Sequence, residues 1–321
     1  MVYGNITSLK DKKISRIVLG RSDLDGRDKV ASFKFLDEMY SLGINTFDTA
    51  AIYQNYSEAV ITEWIAERGI HDDAVILSKC GHFNYWRNRV HDFDIKADIA
   101  DFLAKPGADY VDIYMLHRDD ETVAVSEIIN CFNELLDKGY IKTFGASNWS
   151  FERLLEANEY AYKKGLTPFT SISPQFSLAE QQGDLWPGTL SITGPDHLNE
   201  RLYYEKVQMP IFSYSSIARG FLSGRFSSAD DPNKAKNILD ADIYRAFMCN
   251  SNLERLKRVE HLAAQKEVSV ATLSLAWVLN QPFNLFAIIS SKSKERMTEN
   301  IQALNVSLSA EELKWLNLES E

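Results

Sequence analysis

The chain has 321 residues, 45% of them apolar and 25% charged, a composition that excludes an extended disordered chain and allows a sizeable core. Its 45 acidic and 35 basic side chains leave a formal charge of -10, which excludes the basic stripe that a nucleic-acid backbone attracts. No apolar run reaches the roughly 18 residues of a membrane span. The opening stretch MVYGNITSLKDKKISRIVLG also lacks an apolar leader core and a cleavage pattern, so the chain reads as untargeted and cytoplasmic.

Short β-branched runs recur in chain order: RIVLG at 16–20, INTFDT at 44–49, AVILSK at 74–79, YVDIYMLH at 110–117 and IKTFGASN at 141–148. FTSISPQF at 169–176, IFSYSS at 211–216 and LFAIIS at 285–290 bring the candidate strands to eight. Helical patterns lie between them. Val30, Phe33, Leu36 and Met39 fall on one face, as do Val125, Ile128, Ile129, Phe132, Leu135 and Leu136, and again Leu253, Leu256, Val259 and Leu262. Gly43, Gly69, Gly139 and Gly165 punctuate the ends of such patterns, where a residue without Cβ suits a left-handed turn.

Strand and helix alternating about every 30 residues predict parallel strands with helical crossovers, and eight units close a (β/α)8 TIM barrel. Periodicity does not show closure, so a doubly wound open sheet stays open as an alternative. Two intervals exceed a minimal unit, Ser177–Met209 and Arg219–Gln281, and predict extended loops after the sixth and seventh strands. The second holds the acidic loop SSADDPNKAKNILDAD and then two helical patterns, the latter opening near Ser269 and closing before Pro282. No internal repeat or linker interrupts the chain, which reads as one domain over residues 1–321. Cys80, Cys131 and Cys249 have no metal-ligand spacing and read as reduced thiols; no metal site is expected.

In a βα barrel the catalytic groups come from the C-terminal ends of different strands. Asp48 ends the second run, Tyr53 follows in its loop, Lys79 ends the third and His117 the fourth. Singly, each has a structural reading: a helix cap, a rim aromatic, a snorkelling lysine, a core histidine. Together they suit reduction of a carbonyl, whose oxygen needs a proton donor. A phenol titrates near 10, so a neighbouring ammonium, itself held by a carboxylate, is expected to lower it. His117 is placed to donate a hydrogen bond to the carbonyl oxygen.

The segment INTFDTAAIYQNYSEAVITEWI, with ILSK and YMLH after it, resembles the aldo-keto reductase family. The resemblance implies Asp48, Tyr53, Lys79 and His117 as the catalytic tetrad. FGASN and SPQFS resemble the segments that hold the nicotinamide amide, implying Ser147, Asn148 and Gln175. FSYSSIARGFLSG resembles the cofactor-clasping stretch, with Tyr214 stacking on the nicotinamide and Ser215, Ile217, Gly220, Leu222 and Gly224 around the phosphates. IISSKSKERMTENIQAL resembles the adenosine-binding segment, implying Ser290, Ser291, Lys292, Arg296, Glu299 and Asn300. The resemblance runs from about residue 13 to residue 305. Arg296 and Lys292 both suit the extra phosphate of NADPH, with NADH the alternative. No G-x-G-x-x-G follows a strand, as is normal for this family.

The chain departs from the family pattern at Arg21, which sets a charge after the first strand, at Ser216 where many relatives carry proline, and at Ser290 where some carry lysine. Phe83, Trp86, Trp149 and Trp186, with Arg21 and Arg118, form the expected substrate pocket, and aromatic faces beside charged groups suit a sugar or other polyol. Packing of loops onto the barrel is the plainer reading of those aromatics. The expected function is NAD(P)H-dependent exchange of hydride with a small carbonyl or alcohol. Two alternatives are a redox-sensing subunit of a protein complex, which would keep the same tetrad, and a hydrolase using Asp48 and His117, which would bind no nicotinamide.

Overall fold

All eight runs form strands in the computed structural model, which describes residues 1–20, 24–53 and 56–321. A hairpin of β1 (Tyr3–Ile6) and β2 (Leu9–Ser15) comes first. Then follow β3 (Ile17–Gly20), β4 (Thr46–Asp48), β5 (Val75–Cys80), β6 (Val111–Leu116) and β7 (Ile141–Ser147), and finally β8 (Ile172–Ser173), β9 (Ile211–Ser213) and β10 (Leu285–Ile289). Each of β3 to β10 pairs in parallel with its neighbours, and β10 pairs with β3, so the sheet closes. Closure removes the open-sheet alternative, because no edge strand remains.

Period-two alternation separates two cores. Val18, Val75, Leu77, Ile113, Met115, Phe212, Phe286 and Ile288 fill the barrel interior, while Phe47, Ile76, Tyr114, Leu116, Phe144 and Ala146 pack beneath the helices. Among the latter, Phe132 stacks on Phe144 at 5.0 Å between centroids and meets Phe169 edge-on at 6.0 Å. Truncating such a fully buried aromatic to alanine costs about 3–5 kcal/mol. The hairpin closes the far end of the barrel with Ile6, Leu9 and Ile14, all packed on the interior cluster. Its Lys12 reaches Asp112 at 2.8 Å. The charged run KDKK had concealed β2, because only its ends point inward.

The helix Lys29–Ser41 buries Phe33, Leu36 and Met39 but leaves Val30 83% exposed, so Val30 lies off the face the sequence assigned to it. Gly69 and Gly165 terminate their helices in the left-handed region, as expected. After β8 the chain runs without an α-helix to Leu198–Val207. After β9 come the helices Pro232–Ile238, Ala241–Phe247, Asn250–Gln265 and Val270–Leu279. The acidic loop is therefore partly helical: Asp231 accepts from the Asn233 amide at 2.8 Å and opens a short helix that proline can begin. No helix among the described residues is long and apolar enough to cross a membrane.

Candidate active site

Strand parity decides which strand-end side chains enter the barrel mouth. On β5, Val75 and Leu77 face inward, so Lys79 does too; on β6, Ile113 and Met115 carry the same parity to His117. Outward Phe47 turns Asp48 inward, and outward Phe144 and Ala146 turn Ser147 inward. The amide of Ala51 donates to the Lys79 carbonyl and that of Tyr53 to Ala50, each at 2.9 Å, which fastens the Tyr53 turn to the end of β5.

These groups meet at one end of a cavity of about 680 Å³. Lys79 is ion-paired with Asp48, each 4% exposed, and donates to the Thr49 carbonyl at 3.2 Å. Its Nζ lies 5.8 Å from the Tyr53 ring centroid, and the Tyr53 and His117 rings meet edge-on at 6.1 Å.

The electrostatics correct one expectation. The Tyr53 phenol is pushed upward, first by burial and then by Asp48, with Arg118 opposing. Lys79, the ammonium expected to lower it, is ion-paired with Asp48. The phenol therefore rests protonated, the form a proton donor requires. His117 is held well below the usual imidazole range by burial, Lys79, Arg118 and His82, so it is neutral. Its Nδ1 is buried and has no hydrogen-bond partner among the described residues.

Beyond the tetrad, Asn148 sits at φ 58°, accepts from the Tyr214 hydroxyl at 2.6 Å and donates to the His117 carbonyl at 3.2 Å. Ser147 donates to the Ser173 carbonyl at 2.7 Å. Both line the cavity with Tyr214, Ser215 and Ile217. Gln175 does not: it is fully buried, its amide held between Ser177 at 2.9 Å and Ser191 at 2.5 Å.

The cavity continues to Ser290, Ser291, Lys292, Arg296, Glu299 and Asn300. Between the two ends the chain turns repeatedly through the left-handed region, at Ser215, Ala218, Arg219 and Gly220. Gly220 turns at φ +94°, a conformation strained for any residue with a Cβ, and a Cβ there would also displace the Arg225 guanidinium. Arg219 and Arg225, which the sequence reading passed over, also line it. Their signal was the RGFLSGR stretch, two arginines around the glycines. With Lys292 and Arg296 they collect positive charge in a chain of net charge -10. An elongated cleft with donors at one end and cations along the rest fits a dinucleotide.

Several expected residues stand elsewhere. Leu222 is fully buried in the helix-side core, and Gly224 lies outside the lining. Trp149 is 7% exposed and packs on Phe169 at 5.0 Å, while Trp86 is 83% exposed and rests on Tyr85 at 4.8 Å. Phe83, half-buried, has its ring centroid 6.0 Å from the Arg118 guanidinium and does not line the cavity. Of the expected substrate pocket, Arg118 and Trp186 line the cavity. Sequence spacing could not tell a mouth-facing aromatic from one turned to core or solvent. Arg21 falls outside the described residues.

Comparison with known proteins agrees with this geometry. The sequence model of the Aldo/keto reductase family matches residues 16–317. The aldo-keto reductase ausK of Emericella nidulans is 28% identical over 313 residues, covering 92% of this chain and 73% of its own length. The aryl-alcohol dehydrogenase (NADP+) of Phanerodontia chrysosporium is 24% identical, covering 90% and 76%. A crystal structure of a thermostable aldo-keto reductase, bound to the inhibitor epalrestat, superposes over 100% of both chains with a TM-score of 0.73 at 20% identity. The chain belongs to the aldo/keto reductase family, an oxidoreductase family built on the closed eight-stranded barrel described above.

Proposed function

We propose that the chain is an NADPH-dependent reductase of small aldehydes and ketones, running in either direction as the cofactor ratio dictates, with Tyr53 as general acid and base. The observation that carries this reading is the joining, in one cavity, of a protonated Tyr53 beside the Lys79–Asp48 pair and neutral His117 with a cation-lined cleft.

Ser147, Asn148 and Tyr214 would hold the nicotinamide end. The cradle at Ser215–Gly220 with Arg219 and Arg225 would take the pyrophosphate, and Lys292 and Arg296 the ribose phosphate. The bound cofactor supplies a hydride to the carbonyl carbon. Tyr53 gives its proton to the carbonyl oxygen, and neutral His117 directs a ring N–H at that oxygen to orient it. Asp48 would hold Lys79 charged and oriented beside the phenol, its Nζ 5.8 Å from the Tyr53 ring centroid.

The polyol reading loses part of its support, since Trp86 and Trp149 stand away from the cavity and Trp186 alone of the tryptophans lines it. The names of the relatives favour aryl aldehydes and alcohols as the first substrates to try. Fluorescence titration of the purified protein with NADPH and NADH, followed by absorbance of the reduced nicotinamide with benzaldehyde, aliphatic aldehydes and free sugars, tests the proposal. Tight NADPH binding with aldehyde turnover is expected. Absence of nicotinamide binding overturns it, and binding without turnover of any aldehyde favours a sensing subunit.

A further inference from the structure

Arg118 is the one charged group in the catalytic end of the cavity for which the described residues supply no counterion. It is 8% exposed, and no carboxylate lies in ion-pair distance of it among the described residues. Nη1 donates to the His117 carbonyl at 2.8 Å, Nε is buried without a hydrogen-bond partner among the described residues, and the side chain lines the cavity next to Tyr53 and His117. Among the described residues every other cation of comparable burial is matched: Lys79 by Asp48, Arg153 by Asp119 and Arg255 by Glu180. A buried charge without a partner costs several kcal/mol, and the protein recovers that cost only when an anion arrives.

On the cofactor reading above, the phosphates lie along Arg219–Arg225 and Lys292–Arg296, away from the His117 end, so the missing anion belongs to the substrate. We infer that Arg118 binds a carboxylate on the substrate beside the carbonyl that Tyr53 protonates, which makes the preferred substrates oxo acids and aldehyde acids. One guanidinium balances one negative charge. With Nη1 already committed and Nε buried, Nη2 is the donor left to make a charge-assisted bond to a carboxylate oxygen. This inference rests on the reductase reading.

The test pairs carbonyl compounds that differ by a carboxylate: para-carboxybenzaldehyde with benzaldehyde, succinic semialdehyde with butanal, and glyoxylate with acetaldehyde. The native enzyme should show kcat/KM about 10- to 100-fold higher for at least one acid member, the scale of a charge-assisted contact. In Arg118→Met that ratio should fall to about one, with Arg118→Lys keeping part of it. Loss of both members by the same factor, or no preference in the native enzyme, overturns the inference while leaving the reductase reading intact. A parallel titration with benzoate, followed by tryptophan fluorescence, needs no turnover. Saturable binding that Arg118→Met abolishes supports the anion site even if every aldehyde is inert and the reductase reading has failed; no benzoate binding counts against it.

Discussion

Lys79 spends its ammonium on Asp48 and stands 5.8 Å from the centre of the Tyr53 ring, so the tetrad holds one salt bridge and one uncharged acid. Removing Asp48 leaves a buried ammonium unpaired. Asp48→Asn should therefore lower stability by about 3 kcal/mol in urea unfolding, besides reducing turnover. A fully stable variant would contradict the placing of the pair inside the barrel.

The depressed imidazole of His117 makes a stability prediction with a definite sign. The unfolded histidine gains a proton as pH falls below about 6.5, while the folded one stays neutral, so the unfolded state binds more protons. The contribution is complete above that pH and is lost as pH falls through the depressed folded value. Melting temperature should decline from pH 7 to pH 5 more steeply in the native protein than in His117→Gln. His82, lowered in the same direction by burial, will keep some slope in the variant.

On the proposed reading, the cations at the far end of the cavity would separate the two nicotinamide cofactors. Arg296→Ala should weaken NADPH binding about 10- to 100-fold and NADH binding much less, because only NADPH carries the phosphate a guanidinium would clamp. Equal losses in a fluorescence titration would assign Arg296 to packing.

Gly220 offers a control that touches both cofactors alike. Alanine there must hold φ near +94° and pushes against Arg225, so Gly220→Ala should weaken NADPH and NADH by a similar factor, on the order of tenfold. Unchanged affinities would show that the cradle does not approach the pyrophosphate.

The contrast between residues the sequence made legible and those it did not follows from periodicity. All eight barrel strands could be read because buried parallel strands are continuous β-branched runs, and the meeting of Asp48, Tyr53, Lys79 and His117 in one cavity because each ends such a run or lies in its loop. β2 could not, since LKDKKIS presents alternating charge while its ends plug the barrel. The aromatics failed for a related reason: Trp86 and Trp149 lie in loop and strand-end positions whose facing depends on backbone turns that no spacing records. Gln175 was expected at the nicotinamide, yet Ser191, from the long segment after β8, accounts for its amide oxygen. Arg118 was named as a pocket residue, but that it has no counterion among the described residues became visible only in the structure.

The most direct test is the Tyr53→Phe variant, with NADPH affinity and kcat for an aldehyde measured on the same preparation. Loss of the proton donor should lower kcat by about 100- to 10,000-fold while the NADPH dissociation constant stays within a few-fold of the native value. A variant that keeps most of its kcat would contradict the assignment of Tyr53 as the acid and base, and with it the chemistry proposed for this barrel.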